Sequence, residues 1–138
     1  RDLLVKVLPY HPFLVKPNNH ELGDIFGVKL STREEVVPYG KKLQEMGAQN
    51  VLISMAGEGA VLIAADGQSM GAPAPKGTLV NGVGAGDSMV AGFLTGWMEK
   101  KDYVHAFHMG IAAGSASAFS ENLATREEVL QVLQQVEQ

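Results

Sequence analysis

Residues 81–93 read NGVGAGDSMVAGF and join a glycine-rich turn, an acid and the start of an apolar helical pattern. A glycine turn that leads into a helix exposes backbone N–H groups with no partner inside the helix, at the positive end of the helix dipole, and these bind an anion. Asp87 would stay ionised there and could accept a proton from a hydroxyl. Gly84, Ala85, Gly86 and Asp87 therefore suit phosphoryl transfer to an alcohol, although an ordinary aspartate helix cap fits the same residues.

The spacing of the glycines separates this stretch from two other phosphate-binding motifs. The dinucleotide fingerprint G-x-G-x-x-G fails, because its last position holds no glycine whether it is counted from Gly82 or from Gly84. The Walker motif fails because the sixth residue counted from Gly71 is Lys76. A hairpin turn would explain the NG dipeptide and leave GAGD unexplained.

Two shorter stretches add candidate ligand-binding residues. Residues 16–21 read KPNNHE and place Asn18 and Glu21 three residues apart after an apolar run. That pair suits water-mediated binding of Mg²⁺ near phosphates, and an N-cap followed by a first-turn carboxylate is the alternative. Residues 54–59 read SMAGEG, and these small residues could wrap a nucleotide or form a hairpin turn.

Strands and helices alternate along the first part of the chain, and helices accumulate after it. Short apolar runs and turn signals predict strands at 13–15, 50–54, 60–65, 68–74 and 78–80. Periodic apolar residues and caps predict five helices, at 20–26, 31–47, 87–101, 103–120 and after Thr125. The second helix is expected to begin at a capping box with Ser31 or Thr32 as the cap and to stop at Gly47, and its start lies later if Pro38 delays it. This order indicates an α/β fold with a mostly parallel sheet. Loops 56–59 and 82–86 are expected at the carboxyl edge, where ligands gather.

Composition limits the partners. The net charge is −4, and the 11 Lys and Arg residues are scattered, so we expect no nucleic-acid partner. The chain has no cysteine and no apolar run of about 20 residues, which favours a cytoplasmic protein with no membrane partner. His105 and His108 share a helical face, but no carboxylate or third ligand is evident beside them, so we expect no metal there.

The three motifs together resemble the PfkB, or ribokinase-like, family of carbohydrate kinases. NGVGAGDSMVAGFL resembles the C-terminal signature of the family, KPNNHE its N-x-x-E motif, and SMAGEG its nucleotide loop, in the order of the family. The resemblance implies a three-layer αβα fold. The resemblance also implies a complete fold of roughly twice this length. Because the chain begins without Met, we expect residues 1–138 to be the C-terminal, nucleotide-binding and catalytic-base part of the kinase domain, without its N-terminal half.

The resemblance also implies roles for individual residues. Asp87 would be the catalytic base, and the amides of Gly84, Ala85 and Gly86 would form the anion hole. The residues expected along ATP are Ser54, Gly57, Glu58, Gly59, Gly86 and Ser120, with the small residues of 110–117 beside them. Asn18 and Glu21 would place Mg²⁺. Gly82 and Ala56 depart from the usual pattern, and neither departure removes a chemical group.

Within the family, KPNNHELGDIFGV, APKGTLVNGVGAGDSMVAGF and AFSENLAT are most similar to bacterial 1-phosphofructokinases and tagatose-6-phosphate kinases. The resemblance implies ATP-dependent phosphorylation of fructose 1-phosphate to fructose 1,6-bisphosphate, with tagatose 6-phosphate as the alternative acceptor and a homodimer as the full-length form. The residues that hold the sugar phosphate are expected mainly before Arg1. The chain by itself would then be a nucleotide-binding module or an inert structural piece without turnover.

Overall fold

The computed structural model describes residues 2–55, 58–73, 85–118 and 126–137. The chain divides into two compact units, residues 1–73 and 74–138. The first unit contains three helices, a short 3-10 turn and four strands: α1 Asp2–Val7, the turn Leu8–Tyr10, β1 Leu14–Val15, α2 Asn19–Phe26, α3 Arg33–Glu45, β2 Asn50–Ser54, β3 Ala60–Ile63 and β4 Ser69–Ala72. The described part of the second unit is helical: α4 Ala85–Lys100, α5 Tyr103–Ala118 and α6 Arg126–Glu137.

The four strands form one sheet in the order β1-β2-β3-β4. β1 and β2 are parallel, whereas the β2–β3 and β3–β4 pairs are antiparallel. The expectation of a mostly parallel sheet was therefore wrong for the described strands, which form a mixed sheet. The connections explain the difference: α2 and α3 lie between β1 and β2, but only short loops join the later strands, and a parallel crossover needs a dozen or more residues.

The break between the predicted strands 60–65 and 68–74 is a tight turn that joins β3 to β4. Gly67 has a φ of 94°, which favours glycine, and the side chain of Asp66 accepts a hydrogen bond from the N–H of Gln68 at 3.0 Å. The strand predicted at 78–80 and the cap predicted at Thr125 lie outside the described residues.

α3 begins with the predicted capping box, in which Thr32 is the cap. The N–H of Glu35 donates to the Thr32 hydroxyl at 3.2 Å, and the Glu35 carboxylate accepts from the N–H groups of Thr32 and Ser31 at 2.9 Å each. The helix starts at Arg33, so Pro38 lies inside it and does not delay its start. The box satisfies donors at the helix start, which helps the helix to tolerate the hydrogen bond that proline cannot make.

The core of the first unit lies between α3 and the sheet. Val36 and Leu43 on α3 are fully buried. Gly40 between them allows close approach, because a Cβ there would lie 2.7 Å from Cγ1 of Ile63 and 3.2 Å from Cδ1 of Ile53. Packing against large aliphatic side chains thus fixes α3 on β2 and β3.

Side-chain amides join the strands at the end of the sheet where β2 begins. Asn50 is fully buried, donates to the carbonyl of Phe13 at 2.9 Å and accepts from the N–H of Ala65 at 2.7 Å. Gln44 of α3 donates to the carbonyls of Gln49 and Ala64 at 3.0 and 3.1 Å. Because buried polar groups must be paired, these bonds fix the register of the first three strands.

In the second unit, α4 and α5 pack through small residues. A Cβ on Gly92 would lie 2.6 Å from both the Cβ of Ala113 and the carbonyl oxygen of Met109, and a Cβ on Gly110 would lie 3.0 Å from the carbonyl oxygen of Met89. The two backbones therefore approach each other more closely than larger side chains would allow. We call this contact, made at Gly92, Gly96 and Gly110, the glycine seam.

Two apolar clusters complete the second unit. Near the connection between α4 and α5, the rings of Trp97 and Tyr103 stack with centroids 4.2 Å apart. The other cluster joins α5 to α6 and consists of Met109, Ala112 and Leu133, flanked by Val129 and Val132.

Candidate active site

The predicted N-x-x-E pair lies at the start of α2. Asn18 is the N-cap: the N–H of Glu21 donates to its Oδ1 at 2.7 Å, and its own N–H donates to Oε1 of Glu21 at 3.0 Å. The cap that the sequence offered as the alternative is therefore present. It does not displace the functional interpretation, because the same box holds an amide and a carboxylate together on an exposed helical turn.

The first turn of α2 lies beside the end of β2. Asn18 forms a parallel bridge with Ser54, and the N–H of Ser54 donates to the carbonyl of Pro17 at 3.1 Å. Because β1 and β2 run in the same direction, both motifs follow the carboxyl end of a strand. Two of the three predicted motifs thus meet at one edge of the sheet, as expected.

The loop after β2 has the geometry of a hairpin. The N–H of Met55 donates to the carbonyl of Gly59 at 2.9 Å, and the N–H of Glu58 donates to the carbonyl of Met55 at 3.0 Å. Gly59 has a φ of 98°, and a Cβ there would collide with the carbonyl oxygen of Ala72. The hairpin alternative is confirmed. The backbone at the end of β4 passes so close to Gly59 that no side chain would fit there. Gly57 and the Ala56 departure lie outside the described residues.

The carboxylate at the start of α2 has the chemistry to contact a hydrated cation. Within the described ranges, no group of three or more His, Cys, Asp or Glu side chains could hold a metal ion. Glu21 is exposed, and its Oε2 accepts no hydrogen bond from a described residue. Mg²⁺ usually keeps several of its waters and contacts one or two carboxylates, so Glu21 suits the outer shell of Mg²⁺.

Three residues of the GAGD motif, Ala85, Gly86 and Asp87, lie at the start of α4. The helix begins at Ala85, which puts the backbone N–H groups of Ala85, Gly86 and Asp87 in its first turn, where helix geometry gives them no intrahelical acceptor. Asp87 therefore lies in the first turn of a helix, as predicted, two residues after the start rather than at it. Gly84, Gly82 and Ser120 lie outside the described residues.

Some of the small residues expected beside a nucleotide are used within the second unit itself. Gly110 and Ala113 face α4 and form part of its packing. His105 also has a partner that its sequence neighbourhood did not reveal, since its Nε2 lies 3.3 Å from Oε1 of Glu99. The preceding helix supplies this carboxylate, so the expectation that none lies beside His105 was wrong.

One residue of the first motif has a role that sequence reasoning missed. Asn18 caps α2, and the next residue, Asn19, donates from Nδ2 to the carbonyl of Leu30 at 2.8 Å. The doubled asparagine in KPNNHE was the signal for two separate hydrogen-bonding tasks.

Comparison with known proteins gives consistent matches. The family described as pfkB family carbohydrate kinase matches residues 1–130. A 1-phosphofructokinase of Bacillus subtilis is 52% identical over 135 residues, which are 98% of this chain and 44% of that protein. A D-tagatose-1-phosphate kinase of Bacillus licheniformis is 36% identical over 136 residues, again 98% and 44% of the two chains. The chain thus spans less than half the length of these relatives.

Solved structures agree with the fold. A candidate phosphofructokinase from Staphylococcus aureus has a TM-score of 0.92 and 39% identity, covering 98% of this chain and 44% of that one. A ribokinase from Arabidopsis thaliana has a TM-score of 0.76 at 24% identity, covering 88% and 40%. The second likeness shows the fold alone, and the expected ribokinase-like α/β class is confirmed. None of the described helices is long and apolar enough to cross a membrane.

Proposed function

Because the chain belongs to the pfkB family of carbohydrate kinases, we propose that the protein carrying it transfers the γ-phosphoryl group of ATP to fructose 1-phosphate, giving fructose 1,6-bisphosphate. The observation that carries the proposal is the 52% identity to a protein named 1-phosphofructokinase. The proposed location is the cytoplasm, where ATP is available as the donor. The proposed assembly of the full-length protein is a homodimer.

Asp87 and the start of α4 carry the proposed chemistry. Asp87 takes the proton of the acceptor hydroxyl while the oxygen of that hydroxyl forms a bond to the γ-phosphorus of ATP. The bond from the γ-phosphorus to the oxygen of the departing ADP breaks at the same time. The amides of Gly84, Ala85 and Gly86 hold the negative charge of the transferring group. The position of residues 85–87 in the first turn of a 16-residue helix supports this assignment.

The first unit supplies the proposed nucleotide and metal contacts. Ser54, Gly57, Glu58 and Gly59 follow β2 in the sequence and are the proposed contacts with ATP, and Gly86 and Ser120 are further proposed contacts. Asn18 and Glu21 hold the water shell of Mg²⁺, which when bound offsets phosphate charge. The bridge between Asn18 and Ser54 supports a common site for metal and nucleotide in this unit.

The acceptor has one specific competitor. The relatives named for tagatose are D-tagatose-1-phosphate kinases of Bacillus licheniformis and Klebsiella oxytoca, at 36% and 32% identity. These names favour a ketohexose that carries its phosphate on carbon 1, so D-tagatose 1-phosphate becomes the second candidate ahead of tagatose 6-phosphate. The two sugars differ only in configuration at carbon 4, and a site that hydrogen-bonds one hydroxyl discriminates against its epimer.

A coupled kinase assay on the full-length protein tests the proposal. Fructose 1-phosphate, D-tagatose 1-phosphate, tagatose 6-phosphate and fructose 6-phosphate are compared as acceptors, and the first should have the highest kcat/KM. Asp87→Asn should lower kcat by about 10²–10⁴-fold, the usual range for loss of a general base.

Asp102→Asn is the matched control, because Asp102 also lies at a helix start, where it accepts a bond from the N–H of Val104 at 2.9 Å. It should keep nearly the full kcat. Near-normal turnover by Asp87→Asn would disprove the mechanism. A higher kcat/KM for another acceptor would show that fructose 1-phosphate is the wrong substrate.

The chain of 138 residues is proposed to bind nucleotide without turnover. Titration calorimetry with MgATP should give a saturable heat for the chain and no phosphorylated sugar in the assay. The absence of such heat would make the isolated chain an inert structural piece.

A further inference from the structure

Asn19 makes a hydrogen bond that the three motifs do not require. It is the first residue of α2, and its Nδ2 donates to the carbonyl of Leu30 at 2.8 Å. Leu30 is buried, and Asn19 is half-buried. A hydrogen bond in such surroundings holds its partners firmly, because breaking it would leave a carbonyl without a partner away from water.

The acceptor lies in a segment that folds back along α2. Gly27 ends the helix with a φ of 70°, and the N–H of Val28 then donates to the carbonyl of Gly23 at 3.0 Å. A Cβ on Gly23 would collide with the carbonyl oxygen of Val28, so the returning chain contacts the helix backbone itself. Leu30 is thereby brought beside the beginning of α2.

The same segment continues into the cap of α3. Ser31, which follows Leu30, donates its N–H to Oε1 of Glu35 at 2.9 Å. The carbonyl that Asn19 uses is therefore part of a segment that is fixed at both ends. The bond ties the start of α2 to the start of α3.

The first turn of α2 is thus held from two sides. On one side Asn18 bridges to Ser54 of β2, and on the other side Asn19 bonds to Leu30. Glu21 lies in this turn, and among the described residues its carboxylate is bonded only to the N–H of Asn18. Any rotation of the turn therefore moves the Glu21 carboxylate.

We propose that Asn19 is a positioning residue, whose bond to the Leu30 carbonyl holds Glu21 at the place where it contacts the water shell of a divalent cation. The proposal rests on the proposed function, in which Glu21 serves Mg²⁺. Asn19 itself touches neither metal nor substrate. Residues that orient a metal contact typically change metal affinity by about 10–100-fold when they are lost.

Two variants of Asn19 remove the donor in different ways. Asn19→Ala deletes the amide, and Asn19→Leu replaces it with an apolar side chain of similar size. Gln44→Ala is the matched control, because Gln44 also donates a side-chain amide to backbone carbonyls, at the opposite end of β2. A purely structural loss should affect all three variants alike.

Two readouts separate positioning from stability. The first readout is the affinity for Mn²⁺ of the full-length protein with a non-hydrolysable ATP analogue, measured by electron paramagnetic resonance. This affinity should fall roughly tenfold in both Asn19 variants, at the low end of the range for outer-shell partners. The Mg²⁺ concentration for half-maximal kinase activity should rise by the same factor, while kcat at saturating Mg²⁺ stays that of the wild type. Gln44→Ala should change neither quantity.

The outcomes distinguish the two proposals. Wild-type protein without Mg²⁺-dependent phosphoryl transfer would refute the proposed function. A wild-type enzyme that is active, together with a folded Asn19 variant of unchanged Mn²⁺ affinity, would refute the positioning role alone. An equal loss of Mn²⁺ affinity in Gln44→Ala would also refute it, because the effect would then be one of general stability.

Discussion

The helices α2 and α4 both carry proposed site residues, but they are held in place by different means. α2 has 8 residues, and hydrogen-bonded side chains fix its first turn: the Asn18–Glu21 box and the bond from Asn19 to Leu30. α4 has 16 residues, and the positions just before it, 82–84, are Gly-Val-Gly, which carry no polar side chain that could cap it. Its described support is the glycine seam with α5.

The difference reflects what each helix start is proposed to present. At the start of α2, the side chains of Asn18 and Glu21 accept hydrogen bonds from backbone N–H groups of the same turn. The turn therefore presents a carboxylate, which suits a cation. The first turn of α4 follows residues without polar side chains, and its N–H groups suit an anion. Support for α4 therefore has to come from packing further along the helix, where a substitution disturbs the fold before it disturbs a ligand.

The largest expected effect is on the glycine seam. Gly92→Val places a Cβ 2.6 Å from the Met109 carbonyl oxygen and the Ala113 Cβ, so α4 and α5 must separate. The free energy of unfolding should fall by about 3 kcal/mol, the upper part of the range for overpacking. Urea unfolding followed by the fluorescence of Trp97, the single tryptophan, measures this change.

Ala91→Val is the control for the seam, because Ala91 is the exposed neighbour on the same helix. It introduces the same side chain. Ala91→Val loses some helix propensity and Gly92→Val gains some, so a larger destabilisation by Gly92→Val cannot come from propensity. Equal destabilisation by the two variants would show that the seam does not hold α4.

A smaller effect is expected at the start of α2. Glu21→Gln keeps an oxygen that can accept from the N–H of Asn18, so the cap remains while the charge is lost. The Mg²⁺ concentration for half-maximal activity should rise by about tenfold, as for other outer-shell contacts, with thermal stability nearly unchanged.

Asp24→Asn provides the comparison, since Asp24 is an exposed carboxylate one turn further along α2. It should leave the Mg²⁺ dependence as in the wild type. A shared shift would mean that the net charge of the helix, and not Glu21, sets the dependence.

The smallest expected effect concerns the cap of α3. Backbone hydrogen bonds from Ser31, and then from Thr32, hold the pKa of the Glu35 carboxyl below its ordinary value. The folded state therefore favours the charged form. The stability from this cap is fully present above the pKa of the unfolded chain and is lost as pH falls through the lower folded pKa.

Thermal unfolding between pH 7 and pH 3 tests the cap, with Glu35→Gln compared to the wild type. The wild type should be the more stable at neutral pH, and the difference should shrink in acid. Glu34→Gln, which alters the neighbouring exposed carboxylate, should follow the wild type. A difference between wild type and Glu35→Gln that stays constant with pH would show that the charge of Glu35 is not involved.

Local features of the fold were predictable from the residue order. The cap at Asn18, the end of α2 at Gly27, the box at residues 32–35 and the turn at Asp66-Gly67 all depend on neighbours within five positions. The mostly parallel sheet was mispredicted, although the turn at Asp66-Gly67 already indicated one antiparallel pair. The reason is that an apolar strand has the same composition in a parallel pair as in a buried antiparallel pair.

The candidate site was predictable in its residue types and only partly in its arrangement. The sequence placed Asn18 and Ser54 each at the end of a strand. If the two strands are parallel, their ends lie at the same edge of the sheet, so the two residues could be expected near each other. That Asn19 bonds to Leu30, 11 residues away, did not follow, because it depends on how the chain returns along α2. The contact of His105 with Glu99 was missed for the same reason, since a turn between helices brings the two side chains together.

The sequence by itself determined which groups are available: a glycine-rich helix start before Asp87, a capping amide with a carboxylate, and the family to which they belong. These depend on residue identity and short spacing, which need no knowledge of distant contacts. Only the tertiary structure decided that the sheet is mixed, that Asn19 bonds to Leu30, and that glycines bring α4 against α5. Each of these depends on backbone groups from separated parts of the chain meeting at close range, and residue spacing along the sequence does not encode that distance.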